Sequence, residues 1–185
     1  MPYPRHLHNE RLLPDVLPIP RQGSQVVEII LLRPEILHDI EAGIHQIEKS
    51  RSADAPTLLA AGGADDYLLC RYVDTAVNQA VSRCQAYLML PSPYVHRISA
   101  DHVNEWEEKS IYVALPPRWP AHCIDTLRDA VHGFVVMRAL QLFLSFADEK
   151  AAAVCDLQAT SFYNDISNAL NARIGPMHIH PTFLG

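Results

Sequence analysis

Lysine is scarce in this chain: Lys49, Lys109 and Lys150 are the only three in 185 residues, no run of Lys or Arg occurs, and the formal net charge is −6. Nucleic-acid binders neutralise phosphates with surplus cations, so direct nucleic-acid recognition is not expected. There is no CxxC. Cys70, Cys84, Cys123 and Cys155 are widely spaced in apolar, helix-like contexts, which suits buried free thiols rather than a zinc site or a disulfide framework. A G-x-S-x-G elbow and a Gly-rich phosphate loop are both missing. "AAGGADD" has glycines but no Lys or Ser to serve a phosphate. The opening residues, "MPYPRHLHNERLLPDVLPIPRQG", lack the apolar core of a signal peptide, so a cytoplasmic location is expected.

A long apolar span is missing too. The most apolar passage, "HGFVVMRALQLFLSF" (132–146), is interrupted by Arg138. It is flanked by Asp125, Arg128 and Asp129 on one side and by Asp148, Glu149 and Lys150 on the other. A spanning helix needs about 20 apolar residues, and a charge at mid-membrane is costly. No membrane partner is expected. A helix apolar on all sides is instead surrounded by its own domain or by other subunits.

The residues that are present predict a mainly α fold. Hydrophobic residues make up 49% and charged residues 19%, the balance of an ordinary globular domain. The expected architecture is a bundle of about four helices with one or two short β-strands. An extended N-terminal arm is expected over 1–23, a single helical domain over 24–175 and a C-terminal tail over 176–185. The arm carries Pro2, Pro4, Pro14, Pro18 and Pro20, which suit neither a helix nor a central strand. It also carries Leu7, Leu12, Leu13, Val16, Leu17 and Ile19, apolar enough to dock on a neighbouring subunit.

Periodicity places the elements. "SQVVEIILLR" is rich in β-branched residues and reads as a strand. Pro34 opens a helix with Ile36, Leu37, Ile40, Ile44 and Ile47 in one stripe. "SRSADAPTLLAAGG" reads as a linker ended by Gly62 and Gly63. A helix over 64–90, capped by Asp65 or Asp66 and stopped by "PSP", turns Val73, Ala76, Val77, Ala80, Cys84, Tyr87 and Leu88 to one face. "IYVALPP" alternates as a short strand with Ile111, Val113 and Leu115 on one side. A helix over about 121–146 follows, with Leu140, Leu142, Phe143, Leu144 and Phe146 apolar all round. The last helix begins near Asp148 and is ended by Gly175 and Pro176.

Four constellations have the residue types for chemistry. His122, Asp125, Asp129 and His132 lie on one helical face, with two imidazoles and two carboxylates able to ligate a metal or exchange protons. One straight helix cannot wrap all four around an ion, so a solvated face is the simpler reading and no cofactor is expected. His38, Glu41, His45 and Glu48 repeat the pattern on the first helix. Were two such faces to meet, they would resemble a bundle-core metal site, although the Glu-x-x-His pairs of such sites are missing. "HLH" (His6, His8) and "HIH" (His178, His180) point two imidazoles to one side of an extended chain, as adventitious chelates also do. Cys123 beside His122 invites a thiolate, but helix neighbours do not face each other. Trp106 and Trp119 read as core or interface anchors.

Three pieces carry a family resemblance: "DDYLLCRYVDTAVNQAVSRCQAYL", "IYVALPPRWP", and "IDTLRDAVHGFVVMRALQLFLSF" followed by a further helix. Together, over about residues 65–173, they resemble the small helical head–tail connector (neck) proteins of tailed phages and prophages. The resemblance implies a non-enzymatic structural protein that forms a homo-oligomeric ring, contacts other phage structural proteins and is virion-associated. It carries over no functional residue. Two rival readings stand beside it: a metal-binding helical protein or metal-dependent enzyme using the His/Asp faces, and a helical adaptor that binds another protein.

Overall fold

The structure, a computed structural model, describes residues 24–51, 66–88 and 107–173. The N-terminal arm, the Gly62–Gly63 and "PSP" stops, Asp65 and the Asp66 side chain of the expected cap, Trp106, the His6/His8 and His178/His180 pairs, the Gly175–Pro176 stop and the C-terminal tail lie outside the described residues. The fold is mainly helical, with four α-helices and a two-stranded antiparallel sheet among the described residues.

Strand β1, Gln25–Leu32, alternates as its sequence predicts: Val27, Ile29 and Leu31 are buried, while Val26, Glu28 and Ile30 face outward. It pairs with β2, Glu108–Leu115, in a register that sets Val27 opposite Val113 and Ile29 opposite Ile111. The inward faces of both strands therefore coincide and form one apolar layer. On the outward face Tyr112 Oη donates to Glu28 Oε1 at 2.8 Å across a paired position. Helix α1, Arg33–Ser50, follows β1 without a break, with Pro34 in its first turn, where a missing amide costs nothing. Ile36, Ile40 and Ile44 are buried at helical spacing, and Leu37 and Ile47 pack against them.

Helix α2, Asp66–Arg83, is shorter than its apolar stripe predicts. Beyond it, Gln85–Tyr87 form a turn of 3-10 helix and Leu88 makes an antiparallel bridge to Val113. The stripe persists through Tyr87 and Leu88 because both still pack on the core, but the chain reaches it by leaving the helix. A backbone partner on β2 outweighs one more α-helical bond.

Helix α3, Cys123–Leu144, answers for the apolar run. It packs against α1, α2, β1 and the last helix, α4, Glu149–Asn171. Val131, Val135, Val136, Ala139, Leu140 and Leu144 are buried on several of its sides. The domain itself thus surrounds this helix. Phe146 departs from expectation: it lies past the helix end, on the turn into α4, and is 91% exposed. Among the described residues no helix is long and apolar enough to cross a membrane.

Two glycines set the helix spacing. A Cβ on Gly43 of α1 would sit 2.8 Å from Leu140 Cδ1, and one on Gly133 of α3 would sit 2.6–2.9 Å from the Phe162 ring. Each glycine accepts a helix-propensity loss of about 1 kcal/mol so that a large side chain can close onto the helix opposite. Asp148 caps α4, accepting from the Ala151 amide at 3.0 Å, and also pairs with Arg51 at 3.3 Å. Trp119 is buried as a core anchor between β2 and α3, its indole N–H donating to the Ala169 carbonyl at 2.7 Å.

Candidate functional site

The residues singled out by type are dispersed. His122, Asp125 and Asp129 are exposed along the first turns of α3, and Asp125 takes an ion pair with Arg128 at 3.6 Å. His132 instead meets Asp39 of α1, Nε2 to Oδ2 at 2.8 Å. This joins the two polar faces at one point, through a carboxylate that periodicity did not mark. His38, Glu41 and His45 are exposed on α1, and His45 lies 3.8 Å from Glu48. Among the described residues no group of three or more His, Cys, Asp or Glu side chains converges. A helical face spreads its side chains along the axis at about 5.4 Å per turn, and the facing helix must supply the rest. Here it supplies Asp39 alone to His132.

The four thiols are free. Cys84 is fully buried at the end of α2, and burial pushes its thiol up to about 11. Cys155 is raised by the same cause. Both are therefore protonated and poor nucleophiles near neutral pH. A partly buried ion pair lies at the end of the sheet, where Arg33 Nη2 donates to Asp74 Oδ1 at 3.1 Å. Burial holds the nearby Lys109 ammonium below its ordinary range; Asp74 opposes that shift and Arg33 adds to it.

The side chains that do converge surround an open cleft of about 400 Å³ between α2, α3 and α4. Gln79, Ser82 and Arg83 come from α2, Phe134 and Arg138 from α3, and Asp156, Ala159, Thr160 and Tyr163 from α4. Arg138 occupies one end. Its Nε donates to Gln79 Oε1, and its Nη1 to Gln141 Oε1 and Asp156 Oδ1, all at 3.0 Å. Arg83 occupies the other end. Its guanidinium lies 4.0 Å over the Tyr163 ring, and its Nε donates to Ser167 Oγ at 2.8 Å. Phe134 packs against Tyr163 with ring centroids 5.9 Å apart, forming an apolar floor with buried Ala159.

The chain direction makes this arrangement possible. Gln79 to Arg83 is one turn along α2, Arg138 back to Phe134 is one turn along α3, and Asp156 to Tyr163 is two turns along α4. Antiparallel packing of α3 against both neighbours brings the two arginines to opposite ends of one groove. Arg138 is legible in sequence as a charge on an apolar helix that requires a partner. Arg83 gave no such signal, because a cation in the last turn of a helix is ordinary. No protein-family model, no curated protein and no solved structure matches this chain.

Proposed function

We propose that this chain is a structural assembly protein, one that works through contacts with other protein chains, copies of itself included, rather than by catalysis. The observation that carries the reading is the exposure of large apolar side chains on the turn from α3 into α4 and along α4. Phe146 on that turn is 91% exposed, and Leu157 and Val154, three residues apart on the outer side of α4, are 72% and 55% exposed. A small domain gains by burying such side chains, each worth about 1.5–3 kcal/mol when fully removed from water. Val154 and Leu157, three residues apart, lie on one side of a helix, the spacing at which neighbouring side chains share a surface that a partner can cover.

The more specific role, a ring subunit of the head–tail connector kind, draws its support from the order of elements. A helix, a strand running into prolines, a long apolar helix and a further helix follow one another over 66–171, as in the proteins the sequence resembles. Other subunits and neighbouring phage structural proteins are the partners this role implies. The double variant Phe146→Ser, Leu157→Glu tests the contact, since both side chains are exposed and the monomer fold does not depend on them. Light scattering should show a smaller assembly for the variant than for the parent at equal helical content. Equal masses would overturn the reading.

A further inference from the structure

We infer that the cleft between α2, α3 and α4 is a binding site for a carboxylate carried on a short apolar body. The inference goes beyond the assembly role and does not depend on it. Two guanidiniums line the cleft, and fixed partners hold each in place: Arg83 by the Tyr163 ring and Ser167, Arg138 by Gln79, Gln141 and Asp156. Arg83 donates through Nε and Nη2, both to Ser167. Among the described residues Arg83 Nη1 and Arg138 Nη2 make no hydrogen bond, so each arginine keeps spare donors while the rest of its fork is immobilised. Preorganised donors of this kind lose little entropy when an anion arrives.

Charge and shape then select the ligand. The lining holds two guanidiniums and one carboxylate, Asp156, leaving a surplus of one positive charge. A monoanion balances that surplus; a dianionic phosphate would exceed it. The buried floor of Phe134 and Ala159 offers no hydrogen-bond partner and favours an apolar body beside the charged group. Ser82 and Thr160 are exposed on the rim, with hydroxyls that make no side-chain hydrogen bond among the described residues. A volume of about 400 Å³ falls in the range of small-molecule pockets, about 300–1,000 Å³. A free organic acid and an acidic side chain of a partner protein share this chemistry.

Titration of the full chain followed by NMR, reading the arginine Nε–H resonances, tests the site. The probes are phenylacetate as a free acid, acetyl-Phe-Glu-amide as a chain-borne one, and inorganic phosphate as the competing anion. Saturable shifts at Arg83 and Arg138 are expected with phenylacetate, the dipeptide or both, at a dissociation constant on the order of 1 mM. The tighter of the two names the source. Thr160→Glu places a carboxylate at the exposed rim and should weaken binding by about tenfold with an unchanged melting temperature, the equivalent of about 1.4 kcal/mol. Arg83→Gln should weaken binding by a similar factor. No saturable shift with either acid, phosphate binding as tightly as phenylacetate, or undiminished binding in both variants would overturn the inference.

Discussion

Replacing Arg138 with alanine removes a guanidinium that ties three helices together. Its hydrogen bonds reach Gln79 on α2, Gln141 on its own helix and Asp156 on α4, each at 3.0 Å. Neither charge is fully desolvated: the Arg138 side chain keeps 28% of its exposure and that of Asp156 keeps 54%. The ion pair is therefore worth no more than about 1 kcal/mol, the usual upper range for an exposed pair. The half-buried bond to Gln79 adds about 1 kcal/mol, and the local bond to Gln141 a few tenths. The packed methylene stem contributes about 1 kcal/mol more. The loss should be about 2–3 kcal/mol, below the ~3–5 kcal/mol of a fully buried broken pair. At about 2–4 °C per kcal/mol for a chain this size, the melting temperature should fall by roughly 4–12 °C. Urea titration and calorimetry of Arg138→Ala, with Asp156→Asn and the double variant, measure this. A coupling energy under about 1 kcal/mol between the two sites is expected. A loss below about 0.5 kcal/mol would mean the three contacts are not populated. One above about 4 kcal/mol would mean the pair is buried, and would refute the argument from exposure.

Gly133→Ala should destabilise by about 1 kcal/mol, the strain against Phe162 exceeding the helix-propensity gain; in a Phe162→Leu background the same change should become neutral or stabilising, and chemical denaturation shows which sign holds. Trp119→Phe leaves a gap and deprives the Ala169 carbonyl of its indole donor, so a loss of about 1–3 kcal/mol is expected by the same assay. Cys84 and Cys155 should resist a thiol reagent in the native protein and react only on unfolding, whereas Cys70 and Cys123 are partly exposed and should react first. The buried Cys84 thiol also makes stability pH-dependent. Its folded pKa of about 11 exceeds the ordinary 9.0, so its contribution is complete below pH 9 and lost as pH rises toward 11. Lys109, shifted down by burial, acts in the opposite sense over that window. Cys84→Ala should therefore remove part of the alkaline decline, as denaturation at pH 8 and pH 10.5 would reveal.

Local pattern was strong enough to place most of the fold. The alternation in "QVVEIILL" and "IYVAL" identified the buried face of each strand, and the isoleucines of α1 and the small residues of α2 marked their inward stripes. The start of the last helix near Asp148 is legible in sequence, whereas the cap that Asp148 makes to the Ala151 amide is seen only in the structure. What local pattern cannot carry is competition between distant partners. Leu88 leaves the helix because Val113 offers it a bridge, a contact 25 positions away along the chain. Phe146 continues an apolar run in sequence yet falls past the helix end, where nothing covers it among the described residues. The cleft was harder still. Arg138 was visible as an anomaly on its helix, but Arg83 joins it only through antiparallel packing of three helices. The His/Asp faces drew notice by residue type, while their meeting point, Asp39 with His132, depends on how α1 crosses α3.

Sedimentation velocity of the full chain over a wide concentration range tests the assembly role most directly, because it needs no variant and no identified partner. A reversible, concentration-dependent oligomer is expected, with the Phe146→Ser, Leu157→Glu form shifted toward the monomer. A single 20.7 kDa species at every concentration, identical for parent and variant, would contradict it.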